Sequence, residues 1–137
     1  MTPTSYDPRF VRGVEHFNQC EFFEAHEVWE KVWKDDQGPF RDFYKGLIQV
    51  AVCLHHFGNG NARGARKLYH SCRRYLHGFR SGYRGINVER LIDELDRCCA
   101  GLLASRTEVP RVQIDPDLIP KIILDPPAES AGCEGSA

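Results

Sequence analysis

Between Phe17 and Trp33 the chain places four glutamates, Glu21, Glu24, Glu27 and Glu30, beside one imidazole, His26, and two indoles, Trp29 and Trp33. Carboxylates and imidazoles set among aromatic rings can move protons or hold a cation, because such surroundings shift their pKa values. The same groups can also form a hydrogen-bonded polar cluster that only fixes packing. On a helical wheel of about 100° per residue, Phe22, Ala25, Val28, Trp29, Val32 and Trp33 share one apolar arc. His26 and Glu30, one turn apart, lie at its edge with Phe23 beyond them. Glu24, Glu27 and Lys31 point away, which predicts a solvated face with a Glu27–Lys31 pair. For His26 and Glu30 three roles are open: a structural pair, an acid/base pair, or two metal ligands. His26 to Glu30 reads HExxE and lacks the second histidine of HExxH, while EAHE over residues 24–27 is not the ExxH of di-iron bundles. The metal signal is therefore weak.

A second set follows. Phe40, Phe43, Tyr44, Leu47, Ile48, Val50, Ala51, Val52, Cys53, Leu54 and Phe57 cover almost the whole circumference of a helix, leaving Asp42, Lys45, Gln49 and His56 on one polar stripe. A helix apolar nearly all round is buried, so this one should be central. His55 falls on its apolar face between Ile48, Ala51 and Val52, as a hydrogen-bonded core residue or as a partner for His26, Glu27 and Glu30. With Gln49 and Asn61 these residues make a candidate polar cluster, and His26, Glu30 and His55 are its candidate metal ligands. The cofactor stays unknown: the sequence requires none and leaves room for a divalent metal. Further on, Arg66, Arg73 and Arg74 are candidate anion-binding residues, since no acid occurs between Asp42 and Glu89. Arg63 and His70, with six residues between them, form a loose spacing found in some helical RNases that carries almost no information alone.

The elements that must position these groups are helical. Asp7-Pro8 is an N-cap followed by proline at the first helical position, and Phe10, Val14 and Phe17 continue at helical spacing, giving a first helix over about Asp7 to Asn18. The second runs from about Glu21 to Lys34 and stops at Asp-Asp-Gln-Gly-Pro. Pro39 can open the third, which reaches Phe57 before Gly58-Asn59-Gly60. The fourth spans roughly Asn61 to Phe79, and Asn87 caps a fifth carrying Leu91, Leu95, Cys98 and Leu102. Beyond Ser105, Pro110, Pro116, Pro120, Pro126 and Pro127 forbid a long helix. Ile114, Leu118, Ile119, Ile122, Ile123 and Leu124 are nevertheless too apolar for a free tail, so this segment should lie extended along the bundle or along a partner. The expected fold is an all-α, compact five-helix bundle with a central apolar helix and an extended proline-rich C-terminal tail. Residues 1–104 would form the bundle domain and 105–137 the tail, its last ten residues disordered.

At 137 residues with a net charge of −1, the chain is one domain in size and has no general drive toward nucleic acid or membrane. The opening residues show no positive stretch before an apolar run, so no signal peptide is expected. Leu47 to Leu54 is far too short to span a bilayer. The six cysteines include no CxxC pair, and Cys98-Cys99 are adjacent. They read as reduced, partly buried thiols of a cytoplasmic protein.

The ordered blocks FNxxxFFEAHEVWExxW from Phe17, RxFYKGLIQVAVxLHH from Arg41 and GNxxGAxKL up to Leu68 resemble the family catalogued as domain of unknown function 309, with weaker agreement to about Leu103. The resemblance implies a compact all-α bundle and a small cytosolic protein, but no activity. The positions matching its polar motif residues are Glu24, His26, Glu27, Glu30, Gln49, His55 and Asn61. Cys20 stands where a glycine is common in that family, which puts the turn before the second helix in question. The leading expectation is an uncharacterised cytosolic helical protein acting as a non-catalytic interaction module and homo-oligomer, its polar cluster structural. A metal-assisted or acid/base hydrolase-like enzyme on His26, Glu30 and His55 is the alternative. An anion or RNA binder using the fourth helix is the third, although nucleic acid is not the expected partner.

Overall fold

The computed structural model describes residues 6–104 and 113–126. The expectations for the opening residues, for 105–112 and for the last ten residues lie outside the described residues. Asp7 caps α1 (Pro8–Asn18) by accepting from the Arg9 backbone N–H at 2.8 Å, with Pro8 at the first helical position. Phe10, Val14 and Phe17 are all buried. α2 (Phe22–Asp35) follows and buries Phe22, Ala25, Trp29 and Val32. α3 (Arg41–Gly58) begins two residues after Pro39. The side chain of Asp36 accepts from the Gly38 N–H at 2.8 Å, and this local turn holds Pro39 and Phe40 outside the helix. α4 (Ala62–Leu76) is capped by Asn61, which accepts from the Gly64 N–H at 3.0 Å. It ends three residues short of the expected Phe79, because His77-Gly78-Phe79 tightens into a 3-10 turn at a glycine that favours leaving the α-helix. Asn87 accepts from the Arg90 N–H at 3.0 Å at the start of α5 (Val88–Ala104).

Consecutive helices α1 to α4 pack as neighbours, and α5 lies against α4 more thinly. α3 is central, as its closed apolar circumference requires: Phe43, Leu47, Ala51, Cys53 and Leu54 are all 0% exposed. Among the described residues there is no strand, only the isolated bridge between Tyr83 and Ile86. Among the described residues no helix is long and apolar enough to cross a membrane.

α1 and α2 approach unusually closely at Gly13. A Cβ built there would stand 2.1 Å from the Trp29 indole nitrogen and 2.4 Å from Cδ1. The same indole N–H donates to the Phe10 carbonyl at 3.1 Å, so Trp29 is fully buried yet has its polar atom satisfied.

The turn between these helices forces Cys20 to φ +62°, in the left-handed region that costs an L-residue roughly 1–2 kcal/mol. Glycine is free of that penalty but gives back part of the gain through its more flexible unfolded chain. Cys20→Gly is therefore expected to raise stability by about 0.5–1 kcal/mol, read as a higher urea midpoint at unchanged slope. An unchanged or lowered midpoint would mean that this backbone is not strained.

The tail lies extended along the bundle over residues 113–126, interrupted by a short 3-10 turn at Pro116–Leu118. Pro120 and Ile122 are buried. Asn18, the last residue of α1, grips the tail backbone twice: its amide donates to the Ile122 carbonyl and accepts from the Ile122 N–H, both at 2.8 Å. Farther along, the Asp125 N–H donates to the Gly85 carbonyl at 2.9 Å, and the Tyr6 hydroxyl to the Asp125 carbonyl at 2.9 Å. Gly85 has φ +78°, and a Cβ there would sit 2.3 Å from the Tyr6 hydroxyl, so only glycine fits this junction.

Candidate functional site

On α2, Phe23, Glu24, Glu27 and Lys31 are exposed, while His26, Glu30 and Trp33 are half-buried. The His26 Nδ1 lies 3.1 Å from the Phe23 carbonyl and its Nε2 lies 3.7 Å from Glu30 Oε2. Glu30 Oε1 in turn is 3.6 Å from the Lys34 ammonium. The expected Glu27–Lys31 pair does not form; Glu30, reached by a cation or imidazole from either direction, carries the one-turn pairs within this helix instead.

His55 departs from its expected place. It is partly exposed rather than enclosed on an apolar face, because it sits on the last turn of α3, level with the very start of α2, where little remains to cover it. Its Nε2 is 3.2 Å from the Asn59 amide, and its ring lies 5.6 Å from that of Phe23. His26 lies 5.3 Å from Phe23. The two imidazoles thus share one edge of the bundle, with the Phe23 ring between them. Their helices run antiparallel: the Arg41 guanidinium and the Lys45 ammonium lie 4.3 and 4.7 Å from the Trp33 ring centre at the opposite end. That register puts Gln49 level with the middle of α2, where its Oε1 is buried without a protein hydrogen-bond partner.

Asn61 is built into the α3–α4 corner. While its oxygen caps α4, its amide lies 3.3 Å from His56 Nδ1. Donation by that amide makes Nδ1 an acceptor, which the neutral ring provides. Burial, with His55 close by, also lowers the His56 pKa and favours the same neutral form.

His26, Glu30 and His55 do not assemble as a ligand set. Among the described residues no group of three His, Cys, Asp or Glu side chains is placed to hold a metal ion, and the Phe23 ring stands between the two imidazoles. Five cavities on the described surface are lined by other residues. The pair that does form is a surface carboxylate–imidazole contact.

Of the basic candidates, Arg66 is half-buried on α4, Arg73 is committed to Asp96 of α5, and Arg74 is exposed. Asp96 also accepts from the Tyr69 hydroxyl at 2.6 Å, and burial together with that carboxylate raises the Tyr69 pKa. The described cysteines are free thiols. Cys53, Cys72, Cys98 and Cys99 are buried and Cys20 is exposed, while Cys133 lies outside the described residues. Cys53 and Cys72 donate to the Ala65 and Tyr69 carbonyls at 3.3 and 3.2 Å, and burial pushes the Cys72 thiol up to about 12. Thiols so bonded and enclosed are packing groups.

One feature escaped sequence reasoning. A cavity of about 410 Å³ is lined by residues from four separate segments, among them Asp7, Arg9, Asp35, Tyr44 and Arg84. Arg9 bridges Asp7 at 2.9 Å and Asp35 at 2.6 Å, and its hydrogen bond holds the Asp7 carboxyl below its usual range. Burial raises the Tyr44 pKa, with Arg84 opposing that rise. Arg84 itself sits at φ +52° beside Gly85, the pair of positive-φ residues that a tight two-residue turn demands. The signal for this turn was Arg84-Gly85 between Tyr83 and Ile86.

With this geometry in place, comparison with known proteins adds one firm result. A sequence model of the family described as domain of unknown function (DUF309) matches residues 10–68. This segment is similar to DUF309. It runs from α1 into α4 and so contains Phe23, His26, Glu30, Gln49, His55 and Asn61, while α5 and the tail lie beyond it. The chain is also 39% identical over 56 residues, 40% of its length, to the uncharacterized protein YpuF of Bacillus subtilis (strain 168). It is 31% identical over 75 residues, 53% of its length, to an uncharacterized protein of Aquifex aeolicus (strain VF5). The matched stretches cover 32% and 22% of those two relatives, so the chain spans a third or less of either.

Proposed function

We propose that this chain is a non-catalytic helical interaction module that associates with a second copy of itself through the α2/α3 edge. The observation that carries this reading is Phe23, 48% exposed in the middle of the motif and flanked by His26 and His55. A half-exposed ring held by its neighbours costs little entropy to bury, which suits it to anchor a contact. The surrounding groups favour self-association. A two-fold contact must be self-complementary, and this edge sets the His26 imidazole beside the Glu30 carboxylate, so each copy offers an acceptor to the other's ring N–H groups. The recurrence of the same helical unit in longer relatives fits a recognition module. Its free thiols fit a reducing compartment, so we place it in the cytoplasm.

Sedimentation velocity on the wild type and on Phe23→Ser tests this. The wild type is expected to be dimeric or larger, and the variant to shift toward monomer while keeping its thermal melt. A wild-type protein that stays monomeric throughout a concentration series overturns the proposal. So would stoichiometric zinc, iron or manganese in the purified protein, which would restore the metal-assisted alternative.

A further inference from the structure

A second surface, away from Phe23, has a different character. The C-terminal half of α4, the 3-10 turn after it and one residue of α5 enclose a groove of about 380 Å³ lined by His70, Arg73, Arg74, His77, Arg80 and Ile92. Every polar side chain in that lining is an arginine or a histidine, and no carboxylate is among them. His70, Arg73 and Arg74 come from the last turns of α4 and His77 from the 3-10 turn that continues it, so one stretch of chain supplies four of the groups. Buried Ile92 provides an apolar wall.

The arginines are held to different degrees. Asp96 engages Arg73, whose guanidinium also lies 5.4 Å from the Tyr69 ring centre, and this fixes the Arg73 side chain at the groove. Arg80 has only a 3.8 Å contact with exposed Glu89. Arg74 and His77 have no ion pair among the described residues, and His70 packs edge-on against Tyr69 at 5.1 Å. Donors that converge, with Arg74 and His77 outside any ion pair and Arg80 only loosely held, match an anion with several oxygens on adjacent centres, for which arginine's planar fork is suited.

We propose that this groove binds a small phosphorylated ligand carrying a di- or triphosphate group. Its size is that of a small-molecule pocket, and the surrounding charge selects against a long polyanion. α5 sets Glu89 and Asp96 against the groove's Arg80 and Arg73, and the chain's net charge is −1. A nucleic-acid strand leaving the groove would meet those carboxylates, whereas a compact oligophosphate stays within the basic lining.

The test is calorimetric titration with inorganic triphosphate and with pyrophosphate, paired with amide and imidazole NMR shifts. Both probes are expected to bind, triphosphate more tightly, and to perturb resonances of residues 70–80. Arg74→Gln combined with Arg80→Gln is expected to weaken triphosphate at least tenfold. These side chains are exposed, so the melt should be preserved and Phe23-dependent association left intact. Absence of binding, shifts confined to other regions, or affinity unaffected by the double variant would overturn the proposal. Tighter binding of a short single-stranded RNA than of triphosphate, lost in the same variant, would also overturn it in favour of a nucleic-acid surface.

Discussion

Aspartate at Ala51 or at Leu54 is expected to leave the protein largely unfolded at ambient temperature. Both positions are 0% exposed on α3, the helix around which the others pack. A carboxylate there would be surrounded by apolar side chains with no cation placed to meet it. An unpaired charge in such a setting is among the costliest substitutions, and a loss of about 4 kcal/mol or more is a large part of the 5–15 kcal/mol that ordinarily stabilises a domain. Circular dichroism melts should show lost cooperativity or a collapsed midpoint for both variants. Wild-type melting by either one would remove α3 from the centre of the bundle.

The second large effect is expected where α1 meets α2. Gly13→Ala should destabilise by about 2 kcal/mol even though alanine is the better helix former by about 1 kcal/mol. The added methyl would fall onto the indole of Trp29, which is enclosed and held by its bond to the Phe10 carbonyl, so neither group can yield cheaply. Trp29→Ala alone should cost about 3–5 kcal/mol through the cavity it opens and the acceptor it leaves. The two changes touch the same space, so their sum should exceed the double variant's loss by at least about 1 kcal/mol. A urea-denaturation cycle measures this coupling. Additive losses, or a Gly13→Ala protein more stable than the wild type, would show that the close approach does not constrain the packing.

Much of the scaffold was legible because its signals are local. Asp7-Pro8, Asn61 and Asn87 mark helix starts by chemistry within two or three residues of themselves, and the Phe10, Val14, Phe17 stripe needs only the helical period. The central place of α3 followed from a circumference with almost no polar side. The site was harder to read. A helical wheel gives the direction of His55 but not where the covering helix ends, and that end decides its exposure. It also cannot choose among partners for Glu30, so the expected Glu27–Lys31 pair was drawn on the wrong groups. The Arg84–Tyr44 cavity joins segments far apart in the chain, and no local spacing announces it. Similarly, the apolar residues of the tail implied a resting place without pointing to Asn18.

That resting place bears on the order in which the molecule can be assembled. The contacts of Asn18 with Ile122 and of Tyr6 with Asp125 join residues 104 and 119 positions apart. Closing loops of that length is slow compared with forming one helical hairpin beside the next. On a growing polypeptide, α1 through α5 can collapse while Asn18 and Gly85 still offer their polar atoms to water, and the last strand of contacts waits until the chain past residue 125 has been made. Stopped-flow refolding of a shortened chain ending before residue 113 would then retain the fast helical phase and lack the final one.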